Sequence, residues 1–101
     1  MKWKQALKDY SLYLKIERGL SKNSIESYSR DVSKLITYLE QKKVSTSPIK
    51  IDSETVQQFI YEIAKSINAR SQSRIISGLR SFFDYLIFED YRASNPLELI
   101  E

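Results

Sequence analysis

The chain lacks two residue types that carry much of enzyme chemistry, because its 101 residues include no histidine and no cysteine. Without histidine, it has neither the commonest general base nor the commonest metal-ligating side chain. Without cysteine, it has no thiol nucleophile, disulfide framework or thiolate metal site. Most carboxylates, including Asp31 and Asp52, are predicted at helix surfaces or caps, and no glycine-rich phosphate loop occurs. We therefore expect no catalytic residue, no metal and no cofactor in this chain.

Helix breakers and long apolar runs are also scarce. Two glycines and two prolines leave few places to interrupt helices, and no run of 18 apolar residues could span a membrane. The N-terminal stretch carries charges throughout, so it does not read as a secretory signal. The length and the 42% hydrophobic content fit one folded domain, residues 1–101. The absence of cysteine fits a cytoplasmic protein.

The spacing of apolar residues predicts an all-α fold with four main helices. The first covers about residues 2–17, and Ser21 caps a second that runs to about residue 43. Asp52 or Ser53 caps the third, a short turn at residues 68–71 follows, and the fourth ends near residue 89. Pro96 suits the start of a short C-terminal helix at residues 97–101. That last element has no cap, which indicates a cut from a longer protein or a helix that continues.

The stretch 68–88 splits into two opposed faces when read as a helix at about 100° per residue. One face is apolar and contains Ile75, Leu79, Phe82, Phe83 and Leu86. The other contains Arg70, Arg74, Ser77 and Ser81, with Asp84 near its edge. A face of arginine and small hydroxyl residues can approach a phosphate backbone closely and reach base edges.

The second helix repeats this arrangement. Asn23, Ser27, Arg30 and Lys34 lie at spacings of 4, 3 and 4, which are the spacings of the basic face on the fourth helix. Two such faces suggest one composite surface, although each could equally be the solvated side of an amphipathic helix. Neither stripe contains an exposed aromatic side chain on which unpaired bases could stack, which favours duplex over single-stranded nucleic acid.

Residues 19–39 resemble the second-helix signature of the tyrosine recombinases. The matching positions are Leu20, Ser21, Ser24, Tyr28, Arg30, Asp31, Leu35 and Ile36. Residues 70–86, together with Asn95 and Pro96, resemble the fourth-helix signature of the same family. The resemblance covers nearly the whole chain. It is to the N-terminal, SAM-like core-binding domain of a Xer-type or phage-type integrase.

The resemblance implies a four-helix SAM-like bundle of two crossed helical hairpins, with helices two and four against the major groove of double-stranded DNA. It implies that a C-terminal catalytic domain of the same protein completes a clamp, and that further recombinase protomers assemble on the DNA as a tetramer. The catalytic arginine, histidine, lysine and nucleophilic tyrosine of the family belong to that second domain. By resemblance, this chain is the inactive, DNA-binding half of an enzyme.

The family's DNA contacts can be carried over residue by residue. They correspond to Lys22, Asn23, Ser27, Arg30 and Lys34 on helix two, and to Arg70, Ser73, Arg74, Ser77, Arg80 and Ser81 on helix four. Arg80 lies at the border of the apolar face, so it could instead pair with Asp84 or Asp31.

Two other functions compete with DNA binding. A helical protein-interaction domain could present the same basic faces to an acidic partner. A helix-turn-helix regulator is disfavoured, because the turn at residues 68–71 joins helices that are too long for that motif.

Overall fold

The computed structural model describes residues 1–100 and confirms an all-α fold over that part of the chain. It contains four helices, which are α1 (Trp3–Ile16), α2 (Lys22–Gln41), α3 (Ser53–Ile63) and α4 (Ala69–Phe88). The chain divides into two compact units, the first Met1–Pro48 and the second beginning at Ile49. Each unit therefore contains one pair of helices.

The first unit is an antiparallel pair of helices, α1 and α2. The hydroxyls of Ser11 and Ser29 are 3.1 Å apart, and the indole Nε1 of Trp3 donates to the carbonyl of Thr46 at 2.9 Å. The first contact joins residues 18 positions apart and the second joins residues 43 positions apart. The sequence separation thus grows with distance from the loop between the helices, as it does in an antiparallel pair. The buried side chains of these helices include Tyr10, Leu14, Val32, Leu35 and Leu39.

The second unit contains α3 and α4, and α4 carries most of its buried surface. The five residues predicted on the apolar face of α4 are all buried. Ile76 and Tyr85 widen the buried arc beyond that prediction, each with 5% of its surface exposed. The rings of Phe82 and Phe83 meet edge to face, with centroids 5.1 Å apart. The side-chain amide of Gln72 donates to the carbonyl of Ile60 at 3.1 Å, which ties α4 to the end of α3.

Side-chain caps set where three helices begin. Ser21 Oγ accepts from the amide of Ser24 at 3.2 Å, and Asp52 Oδ1 accepts from the amide of Thr55 at 2.9 Å, as the sequence predicts. Asn68 Oδ1 accepts from the amide of Ser71 at 2.8 Å, so α4 already begins at residue 69. The turn predicted at residues 68–71 is therefore wrong beyond Asn68, because a capping asparagine looks in sequence like a turn residue.

Two further expectations need correction. Residues 97–100, predicted with Glu101 as a short helix, form turns in which the amide of Ile100 bonds to the carbonyl of Leu97, while Glu101 lies outside the described residues. The amides of Glu98 and Ile100 bond to carbonyls three residues back, which closes turns and not the four-residue ladder of an α-helix, and an arginine side chain of α4 also donates to carbonyls there. Asp31, predicted at the surface, is fully buried. Its position is turned about 100° from Arg30, which rotates it from the basic face towards the core.

Candidate nucleic-acid interface

The predicted basic face of α2 lies at the surface of the first unit. Lys22, Asn23, Arg30 and Lys34 are exposed, while Ser27 is half-buried and makes an interaction within the protein. The Ser21 cap starts the helix at Lys22, and the buried stripe of Val32, Leu35 and Leu39 fixes its rotation. The exposed set therefore points away from the core, because side chains on opposite sides of an amphipathic helix diverge. We call this set, with Ser27, the α2 face.

The predicted basic face of α4 is also at the surface. Arg70, Ser73, Arg74 and Ser77 are exposed, and Ser81 is half-buried. Arg74 and Ser81 each make an interaction within the protein. Most of the described buried residues occupy the opposite arc of the helix, and buried Gly78 and Tyr85 border the basic side within about 40° of Arg74. We call Arg70, Ser73, Arg74, Ser77 and Ser81 the α4 face.

The two faces have dimensions that suit a DNA groove. The ends of each set, Asn23 and Lys34 or Arg70 and Ser81, are 11 positions apart, which corresponds to about 16 Å along a helix axis. The major groove of B-DNA is about 12 Å wide and admits an α-helix. Either face could therefore extend from one phosphate strand across the base edges to the other strand.

The basic character of α4 ends near Asp84. Asp84 is exposed, and its Oδ1 accepts from the side-chain amide of Asn95 at 2.9 Å. One turn further, the ring of Phe88 is 67% exposed. Eighteen residues separate it from Arg70, so both point in the same direction from the helix. The α4 face itself contains no aromatic side chain, but exposed Phe88 lies on the same side of the helix about 10 Å beyond Ser81.

Arg80 is placed differently from the other predicted contact residues. Its side chain is half-buried, its Nε donates to the carbonyl of Leu97 at 3.5 Å, and its Nη2 donates to the carbonyl of Ile100. These hydrogen bonds go to backbone carbonyls, whereas the sequence offered Asp84 or Asp31 as its internal partner. The DNA contact predicted for Arg80 is not tested by this geometry, but two nitrogens of its guanidinium already donate to carbonyls within the protein.

The perturbed ionisable groups are explained by capping and packing. Hydrogen bonds from Thr55 lower the pKa of Asp52, which caps α3. Burial lowers the pKa of Arg92, whose guanidinium lies 5.2 Å from the centre of the Phe83 ring.

Among residues 1–100, no three acidic or other metal-ligating side chains come together as a metal site would require. None of the helices in that range is both long and apolar enough to cross a membrane.

Comparison with known proteins gives one consistent family. Residues 7–90 match the model of the phage integrase N-terminal SAM-like domain. Tyrosine recombinase XerD of Staphylococcus saprophyticus is 38% identical over 96 residues, and XerD of Staphylococcus haemolyticus is 35% identical over 96 residues. Both alignments cover 94% of this chain and 32% of the relative. XerD of Rickettsia conorii is 40% identical over 82 residues, covering 80% of this chain and 26% of that protein.

The chain thus spans about a third of the length of the curated relatives in the longer alignments. No solved structure shows significant similarity to this chain.

Proposed function

Because the chain belongs to the family of phage integrase N-terminal SAM-like domains, we propose that it is the duplex-DNA-binding domain of a site-specific tyrosine recombinase. The observation that carries this proposal is the repeated face. Two helices expose cations and small polar side chains at the same 4, 3 and 4 spacing, each opposite a buried stripe. The spacing itself is that of any helix face. What distinguishes these two sets is that neither contains a carboxylate, whereas an ordinary solvated helix face mixes charges of both signs.

The chemistry of the two faces fits a sequence-tolerant grip with some capacity for base readout. Lysine and arginine on the faces would neutralise phosphates and release counterions, which supplies most non-specific affinity. The serines of the α4 face are short, so the helix backbone could approach the duplex closely. Asn23 can form paired hydrogen bonds with adenine, and an arginine such as Arg74 can do so with guanine. We propose that both faces enter the major groove of the recombination site.

We propose that this chain contributes binding and not strand cleavage. It covers about a third of its XerD relatives and contains no histidine. The resemblance assigns the catalytic residues to a second domain, which would complete the clamp around the duplex. Further protomers of the recombinase would then assemble on the same DNA. With a nicked duplex, we expect no covalent adduct to any of the seven tyrosines. An adduct abolished by one Tyr→Phe substitution would refute this part of the proposal.

DNA binding and binding to an acidic protein make different predictions for one titration. A labelled duplex is titrated with the chain at several salt concentrations, with poly-glutamate as competitor. We expect a dissociation constant that is about micromolar or weaker at physiological salt and that rises steeply with salt. Poly-glutamate at equal charge should compete poorly, because it lacks the groove geometry of a duplex. Salt-independent binding would contradict the electrostatic role of the two faces, and equal competition by poly-glutamate would favour the acidic-partner alternative.

A further inference from the structure

The segment that follows α4 folds back and is held to the helix by a series of hydrogen bonds. The amides of Asp90 and Tyr91 donate to the carbonyls of Ile87 and Leu86, and Asp90 adopts a positive φ of 61°. This is the left-handed residue of a Schellman-type helix end, which reverses the chain direction. Further along the same segment, Leu97 is fully buried. The segment is therefore packed onto the second unit and does not trail from it.

Asn95 ties the returning segment to α4 through both ends of its side-chain amide. Its Nδ2 donates to the backbone carbonyl of Arg80 at 3.1 Å and to Asp84 Oδ1 at 2.9 Å. Its Oδ1 accepts from the amide of Leu97 at 2.9 Å, which shapes the turn around Pro96. The side chain of Asn95 thus fixes the near end of the turn against the second half of α4.

Arg80 holds the far end of the same turn. Its guanidinium donates to the carbonyls of Leu97 and Ile100, which are 17 and 20 residues away along the chain. A planar guanidinium offers several donors in a rigid fork, so one side chain can hold two carbonyls in a fixed relative position. These two hydrogen bonds are the Arg80 latch.

We infer that Arg80 is a positioning residue that fixes the path of the backbone after α4, and that it is not a DNA contact. Arg80 is rotated about 80° from the direction of Arg70 on the helix, towards the side from which the segment returns. A phosphate bound through the Nε and Nη2 edge of the guanidinium would have to displace the carbonyls of Leu97 and Ile100. The latch makes residues 95–100 and α4 move as one body. The positioning role concerns contacts within the chain, so that part of the inference stands or falls independently of the proposed DNA binding.

The inference can be tested by amide hydrogen exchange in the 101-residue chain. The reporters are the amides of Glu98 and Ile100, which donate to the carbonyls of Asn95 and Leu97 within the turn. In Arg80→Ala, we expect their exchange to accelerate by about tenfold or more, since hydrogen bonds from a charged donor are lost. Amides inside α4, such as that of Leu79, should keep their wild-type rates.

The matched control is Arg70→Ala, which also replaces an arginine of α4 with alanine, but at the exposed start of the helix. It should leave the exchange of Glu98 and Ile100 unchanged, while lowering the salt dependence of duplex binding by about one phosphate contact. Unchanged turn amides in Arg80→Ala would overturn the inference. A reduced salt slope in Arg80→Ala, matching that of Arg70→Ala, would also overturn it, because it would make Arg80 a phosphate contact.

A second measurement uses the unmodified chain, so it does not require that Arg80→Ala folds. In the unmodified chain, the Nε proton of Arg80 should exchange with water several times more slowly than that of exposed Arg70, because it is hydrogen-bonded and half-buried. Equal exchange rates for the two Nε protons would show that the latch does not persist in solution. This result is read without DNA, so failure of the latch and failure of the proposed DNA binding remain distinguishable.

Discussion

Replacing Arg74 with alanine should remove one phosphate contact from the α4 face. The two faces together carry five cations apart from Arg80, namely Lys22, Arg30, Lys34, Arg70 and Arg74. If each neutralises one phosphate, the slope of log K against log salt is about −4.5, and it becomes about −3.6 in the variant. Between about 50 and about 200 mM salt, affinity should therefore fall about 500-fold for the wild type and about 150-fold for Arg74→Ala.

The assay is duplex titration by fluorescence anisotropy across that salt range, with a thermal melt of each protein. The matched control is Lys8→Ala, which removes an exposed cation of α1 that belongs to neither face. The control should keep the wild-type slope, and both variants should change the free energy of unfolding by only about 0.5 kcal/mol. An equal loss of slope in Lys8→Ala would show that binding follows net charge alone, which would refute the assignment of the faces.

Substitutions at four further positions test other parts of the reasoning. Leu79→Ala should lower the free energy of unfolding by about 2–5 kcal/mol in denaturant titrations, because it leaves a cavity at a fully buried site. Asp52→Ala should cost about 1 kcal/mol at neutral pH, through loss of the α3 cap. Because Thr55 lowers the pKa of Asp52 in the folded state, that cost should shrink as the pH falls from about 3.8 through the lower folded value. In matched melts, Asp52→Asn should retain most of the cap without this pH dependence.

Asp84→Asn should tighten duplex binding about twofold, since a unit charge about 8 Å from a phosphate in water costs about 0.5 kcal/mol; weaker binding would contradict the placement of Asp84 at the end of the face. Phe88→Ala should leave duplex affinity unchanged, and a loss of about 1–3 kcal/mol on single-stranded DNA alone would show base stacking instead.

The features that sequence predicts well here are those encoded locally. Helix periodicity places Ile75, Leu79 and Phe82 in the core, because each turn of a helix brings the same face back to the interior. The caps at Ser21 and Asp52 follow from side chains that bond to an amide three residues away. The exposure of most residues of the basic faces follows from the same periodicity. Their contact with DNA stays a prediction.

The features that sequence does not predict depend on contacts between distant residues. Leu97 is buried and Arg80 bonds to its carbonyl 17 residues away, a pairing that leaves no periodic trace in the sequence. Asp31 is buried although its side chain is a polar carboxyl group, and its neighbours along α2 do not indicate this burial. Phe88 is the opposite of Asp31, an apolar side chain that is exposed. It lies at the end of α4, where the core does not extend to cover it.

Two side-chain hydrogen bonds set the ends of the α4 face, one at the Asn68 cap and the other between Asn95 and Asp84. The Asn68 cap starts the helix so that Arg70 stands in its first turn, and the positive end of the helix dipole adds to the charge of that arginine. At the other end, Asn95 holds the Asp84 carboxylate by a hydrogen bond, which places a negative charge beyond Ser81. A phosphate strand would therefore meet attraction over about three turns of α4 and repulsion after them. The same Asn95 side chain also donates to the carbonyl of Arg80, so the groups that end the basic face are those that dock the returning segment.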